Sequence, residues 1–117
     1  MSDQPILLQR DARGVATLTL NRPDVHNAFD DMLIAGLSAR LRELDADANV
    51  RIVVLAGNGK SFSAGADLNW MKRMAAYSDA ENLRDACALG DLMHTLAAMS
   101  KPTVARVQGA AFGGGVG

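Results

Sequence analysis

Two stretches of small residues hold the best prospects for chemistry: SFSAGADLNWM, Ser61–Met71, and VQGAAFGGGVG, Val107–Gly117. What both offer is main chain rather than reactive side chains. Ala64, Gly65 and Ala66 in the first, and Gly113–Gly115 in the second, let a ligand approach the backbone closely. Each stretch follows a short apolar run that reads as a parallel strand, and each leads toward a helix. In open α/β sheets ligands gather at the carboxyl ends of strands. A helix N-terminus there adds unpaired N–H groups and positive potential. Two such turns side by side could aim two N–H donors at one oxygen, which is the requirement for stabilising an oxyanion.

Competing motifs fail on spacing. GNGKS, Gly57–Ser61, would need a glycine where Val54 stands to make a phosphate-binding loop. Gly113 and Gly115 would need another glycine at position 118 to make a dinucleotide fingerprint, and no G-x-S-x-G elbow occurs. His26 and His94 are too isolated in sequence to suggest a metal site, and each reads as a structural residue. Composition removes other classes. The chain has 117 residues, 49% apolar and 21% charged, with a net charge of −1. These values fit a globular domain and give no nucleic-acid or anionic-membrane footprint. No apolar run is long enough to span a bilayer. MSDQPILLQRDARG has no basic region followed by an apolar core, so no leader is expected. The single cysteine, Cys87, excludes an internal disulfide and reads as a packing residue in a helix. The length allows one modest domain or part of a larger one, with no second domain evident over residues 1–117, and the expected compartment is the cytoplasm.

The elements that must position the two turns follow from periodicity. Ile6–Arg10 and Val15–Leu20 flank Asp11–Gly14 and predict a hairpin. NRPD, Asn21–Asp24, breaks the second strand. Leu33, Leu37, Leu41 and Leu44 recur at helical spacing between about Asp30 and Asp45. RIVVLAG predicts a buried strand, and its place after a helix predicts a parallel crossover. A short helix is expected over Asp67–Met74, with Asp67 a candidate cap and Met71 and Met74 facing a core or an oligomer contact. A longer helix opens at the capping box Ser78-Asp79-Ala80-Glu81, with Leu83, Ala86, Gly90, Met93 and Ala97 as its expected inner stripe. Thr103–Val107 is expected as another buried strand. The order β-β-α-β-α-β is α/β, and a further helix is expected after the last glycines.

NRPDVHNAF, FSAGADLNWM and KPTVARVQGAAFGGGVG together resemble three signatures of the crotonase, or enoyl-CoA hydratase/isomerase, superfamily. They stand in that family's order and cover essentially the whole chain. GADLNWMKRM is more narrowly similar to the methylglutaconyl-CoA hydratase branch. The resemblance implies an α/β crotonase-like spiral of ββα units, of which these residues form the N-terminal part. The isolated chain is then expected to be incomplete as an enzyme. It also implies an acyl-CoA substrate, with coenzyme A part of that substrate and no separate cofactor, and a homotrimer or homohexamer.

Residue by residue, the resemblance makes the Ala66 and Gly114 backbone N–H groups the two oxyanion donors, with Gly113 beside the second. It places Ala64, Asp67 and Leu68 along the CoA arm, and Val25 and Ala28 near its pantetheine and adenine parts. Trp70 and Phe112 are expected to shape the acyl pocket. One departure stands out: two-glutamate hydratases carry a glutamate two residues after the glycine triplet, where this chain has Gly117. The reaction implied is hydration of a branched enoyl-CoA such as 3-methylglutaconyl-CoA. Isomerisation or another enolate-forming reaction, and an inert CoA- or partner-binding role, stay open.

Overall fold

The chain first reverses at Asp11, whose carboxylate accepts the N–H groups of Arg13 (2.8 Å) and Val15 (3.2 Å). That turn joins β1 (Ile6–Arg10) to β2 (Val15–Leu20), paired antiparallel with Leu8 opposite Leu18. These and the following elements come from a computed structural model that describes residues 4–117. Met1–Asp3, part of the segment read for a leader, lie outside the described residues.

Helix α1 (Asp31–Ala46) starts where Asp30 accepts the N–H of Leu33 (2.8 Å). Leu33, Leu37, Leu41 and Leu44 are all buried, as their spacing predicts. At the far end Lys101 Nζ donates to the carbonyls of Leu44 (2.7 Å) and Asp47, placing a cation on the negative end of the helix. The next strand, β3 (Ile52–Gly57), runs parallel to β2 with Leu18 beside Leu55. Helices α2 (Leu68–Ala75) and α3 (Asp79–Ala97) follow. The predicted capping box is formed: Ser78 Oγ accepts from Glu81 N–H, and the Glu81 carboxylate accepts from Ser78 N–H, each at 3.2 Å. Strand β4 (Thr103–Ala105) then joins β3 in parallel, giving the sheet order β1-β2-β3-β4. A single 3₁₀ turn, Gly113–Gly115, comes last.

One core cluster unites the inner residues of β2, the leucine stripe of α1, Val53, Trp70 and Leu92. Three expectations are corrected. The inner face of α3 is the row beside the one predicted: Leu92 is buried and Leu89, Leu96 and Met99 pack on the core, while Leu83 is 65% exposed. Of the expected stripe only Met93 is half-buried. Apolar residues lie almost all round this helix, so periodicity could not choose a face; the Trp70 indole N–H donating to Asp85 (2.9 Å) helps to fix it. Strand β4 is exposed, because it is the sheet edge with β3 on one side alone. Cys87 is exposed on α3 and packs nothing into the core. In strand β3 the buried residues are Val53 and Ala56, which stand on opposite faces of the strand. Met74 reaches the core, but Met71 is 48% exposed. Among the described residues no helix is long and apolar enough to cross a membrane.

Candidate functional site

Beyond the carboxyl ends of β3 and β4 the two glycine turns continue side by side. Phe62 N–H donates to the carbonyls of Gln108 and Ala110 (3.0 Å each), and Phe112 N–H donates to Ser63 C=O (3.0 Å). Ser63 and Ala111 thereby form a parallel bridge. The Gln108 amide adds bonds to the carbonyls of Gly57 (2.7 Å) and Gly59 (3.0 Å). Glycine is needed where the turns touch. Gly65 has φ +86°, and a Cβ there would lie 2.8 Å from the Phe112 carbonyl oxygen. A Cβ at Gly115 would lie 2.8 Å from Ser63. At Gly114 a Cβ would meet only the Phe29 ring, at an ordinary 3.7 Å.

The two N–H groups singled out in the sequence are among those this arrangement leaves unspent. Phe29 N–H donates to Gly65 C=O (2.6 Å) and Asp67 N–H donates to Phe29 C=O (2.7 Å), so the Ala66 N–H between them has no acceptor among the described residues. In the second turn Gly115 N–H donates to Phe112 C=O (2.8 Å) and Val116 N–H to Gly113 C=O (3.1 Å). The Gly114 N–H likewise has no acceptor among the described residues. Backbone donors of this kind cost no reorganisation when a ligand oxygen arrives.

The NRPDVHNAF loop braces the first turn. Asn27 is fully buried; its Oδ1 accepts from Arg22 N–H (2.7 Å) and its Nδ2 donates to the carbonyls of Asn58 (2.9 Å) and Ser61 (3.0 Å). Ser63 Oγ donates to the Asn27 carbonyl (3.1 Å) and accepts from Gly65 N–H (3.2 Å). Sequence reasoning missed Arg22, Asn27 and Ser63. The signal that could have found them is the set of polar side chains that stand in the NRPDVHNAF and SFSAGAD signatures themselves.

An open cleft of about 510 Å³ runs along this brace, lined by Val25, Ala28, Ala64, Ala66, Asp67 and Leu68 together with His26, Asn69 and Lys72. Of the first-turn and loop residues named from the sequence, Val25, Ala28, Ala64, Ala66, Asp67 and Leu68 line one cleft, and Gly65 and Trp70 do not. His26, read from the sequence as structural, and Lys72, not singled out there, line it as well; Lys72 stands one helical turn after Leu68. Gly114 instead lines a separate apolar cavity of about 130 Å³ with Phe29, Phe62, Leu92 and Met93, and no titratable side chain lines that cavity. Gly113 lines neither. Of the two residues expected to shape an acyl pocket, Trp70 is 3% exposed within the core, which corrects that expectation, and Phe112 is 63% exposed and lines neither cleft. His26 sits on the surface with φ +53° and its Nδ1 3.3 Å from Ser61 Oγ. Among the described residues no three of His, Cys, Asp and Glu cluster as a metal site.

Asp67 caps α2 through Oδ1, accepting from Asn69 (2.8 Å) and Trp70 (3.1 Å), and pairs with Arg22 through Oδ2 (3.1 Å). Burial pushes its carboxyl up, but the Trp70 N–H, the Arg22 guanidinium and the Asn69 N–H outweigh that and hold it below its ordinary 3.8. Because the folded value lies below the unfolded one, the stability from Asp67 is complete above the unfolded value. It is lost as pH falls through the folded value. Acid titration of an Asp67→Asn variant is expected to show a shallower loss of stability below pH 3.8 than the parent, read from denaturant midpoints. Coincident curves would contradict this.

A parallel-edged sheet with helices to one side, and paired glycine turns with unspent donors beyond its strand ends, is the crotonase arrangement of mixed α and β structure. The family model for enoyl-CoA hydratase/isomerase matches residues 10–117, and the chain belongs to that family. A crystal structure of an enoyl-CoA hydratase from Shewanella pealeana superposes with a TM-score of 0.93 at 42% identity, covering 97% of this chain and 42% of that one. The 4-chlorobenzoyl coenzyme A dehalogenase-1 of an Arthrobacter species is 38% identical over 89% of this chain and 38% of its own length. The small ribosomal subunit protein mS47 of Schizosaccharomyces pombe is 34% identical over 99% of this chain and 27% of its own. The chain spans less than half the length of the curated relatives it matches.

Proposed function

We propose that the chain binds an acyl-CoA thioester and polarises its carbonyl between the Ala66 and Gly114 N–H groups. The observation that carries this reading is that, in two turns in contact, the Ala66 and Gly114 N–H groups have no acceptor among the described residues. As a proton leaves the carbon next to the thioester carbonyl, negative charge builds on the oxygen, and two fixed donors stabilise that charge more than the neutral carbonyl. The CoA arm lies along the cleft of Val25, Ala28, Ala64, Asp67 and Leu68, with the small residues allowing close approach. Asp67 serves there mainly as the cap that holds the turn. Coenzyme A enters as part of the substrate, and no further cofactor is proposed.

The reaction proposed is hydration of a branched enoyl-CoA such as 3-methylglutaconyl-CoA, a step of leucine breakdown, by a cytoplasmic homotrimer or homohexamer. The likeness of GADLNWMKRM to that branch supports it. Hydration also needs a group to deliver water and a proton. The residues lining the Gly114 cavity supply none, so their part is polarisation. That gap, with an mS47 ribosomal protein among the relatives, favours as a second reading a binding role without turnover.

Hydration of 3-methylglutaconyl-CoA and of unbranched crotonyl-CoA separates these readings. The branched substrate is expected to lead in kcat/KM by about tenfold, the scale on which pockets discriminate one small apolar group. Equal or reversed preference would remove the branched substrate, and binding without turnover would favour the second reading.

A further inference from the structure

Resting on the thioester-polarising reading, we infer that Arg22 is a positioning residue that sets the direction of the Ala66 N–H. Ala66 has no side chain able to hold its own peptide. The residues on either side of it are both tied to Phe29, which donates to Gly65 C=O and accepts from Asp67 N–H. The direction of the donor is therefore inherited from the backbone of Phe29. Arg22 grips that backbone on both sides. Its Nη1 donates to the carbonyl of Ala28, and its Nη2 lies 3.4 Å from the carboxylate of Asp30. The same Nη2 donates to Asp67 Oδ2 at 3.1 Å.

One guanidinium thus holds the residue before Phe29, the residue after it, and the residue after the donor. Each carboxylate also caps a helix with its other oxygen. Asp30 Oδ1 caps α1 through Leu33 N–H, and Asp67 Oδ1 caps α2 through Asn69 and Trp70. Arg22 accordingly couples the first turns of two helices to the donor loop. The three side chains are 22%, 19% and 7% exposed, so the cation stands between two carboxylates largely out of water. Without it the two acids would repel each other across the base of the loop. A lysine could neutralise them, but a point charge lacks the planar fork that reaches a carbonyl and two carboxylates at once. The chemistry at stake is geometric, since small misplacement of a catalytic donor is costly.

The test compares two ligands on Arg22→Gln, Arg22→Lys, Asp67→Asn and the control Arg73→Gln. The control breaks an α1–α2 ion pair with Asp31 (3.0 Å) that does not touch the donor loop. Free coenzyme A, measured by calorimetry, reads the cleft. Acetoacetyl-CoA, measured by the ultraviolet absorption of its enolate, reads the donors, and the amide shift of Ala66 on adding it reports the N–H directly. Arg22→Gln is expected to weaken enolate binding by about 100-fold, the scale of a misplaced catalytic group, while coenzyme A changes less than about threefold. Arg22→Lys should recover part of the loss, Asp67→Asn should fall between, and Arg73→Gln should match the parent. Equal losses for both ligands would reduce Arg22 to a structural role and overturn the inference, as would unchanged enolate binding in a folded Arg22→Gln. If Arg22→Gln does not fold, the same ratio in Arg22→Lys and Asp67→Asn decides. A parent protein that binds acetoacetyl-CoA without the enolate signal would refute the thioester reading itself.

Discussion

Gly114→Pro is expected to lower turnover, or enolate affinity, by about 100- to 1000-fold, the loss measured when one oxyanion donor is removed. Proline deletes an N–H of the second turn that has no acceptor among the described residues. The control is Gly114→Ala. It keeps the N–H and places its Cβ 3.7 Å from the Phe29 ring, an ordinary contact, so it should fold and retain most activity. Circular dichroism and denaturant midpoints on both variants separate loss of the donor from loss of the turn. A folded Gly114→Pro that works at the parental rate would end the case for this donor.

Asn27→Ala is expected to be the costliest polar substitution for stability, at about 2–4 kcal/mol. It leaves the buried Ser61 carbonyl and the half-buried bonds to the Asn58 carbonyl and the Arg22 N–H without their partner, and a buried orphaned group costs about 1–3 kcal/mol. Backbone adds to this, because Asn27 stands at φ +54°, which asparagine tolerates better than alanine. Asn27→Gly restores the backbone freedom but not the hydrogen bonds, so it should recover a minor part. Urea unfolding of the three proteins measures both terms. A loss under about 1 kcal/mol for Asn27→Ala would mean that the brace between the loops is not a source of stability.

How far the sequence could be read depends on the range of the force involved. The hairpin, the α1 leucine stripe and the Ser78 capping box rest on neighbours within a few residues, and all three form as the local pattern predicts. The face of α3 and the exposure of β4 depend on what packs against them, which no periodicity carries. The site divides along the same line. Gly65 and Gly113–Gly115 declare themselves because glycine runs are conspicuous, whereas the cleft residues are reached only through resemblance. Arg22 and Asn27 are ordinary polar residues on a short loop. Their roles exist only through partners such as Asp67 and Ser61, far along the chain. Trp70 misleads for a related reason: a large aromatic beside a ligand turn suits a pocket as well as a core, and its hydrogen bond to Asp85 decides for the core.

The bridge between Ser63 and Ala111 also sets when the site can come into being. Its supporting bonds join residues up to 51 positions apart, as from Gln108 to Gly57, so a long loop must close before the two donors meet. Closing it costs chain entropy that only long-range contacts repay, which puts this pairing among the slow, late events of folding. The pairing of the two donors is therefore absent from any partly folded form in which the two turns have not met. A thioester that spans both turns would act as a strut across the last-closed seam, adding about 2.7 kcal/mol of folding stability at a hundred times its dissociation constant. Substrate supply would then govern not only how often the site is filled but how much of the protein stays folded.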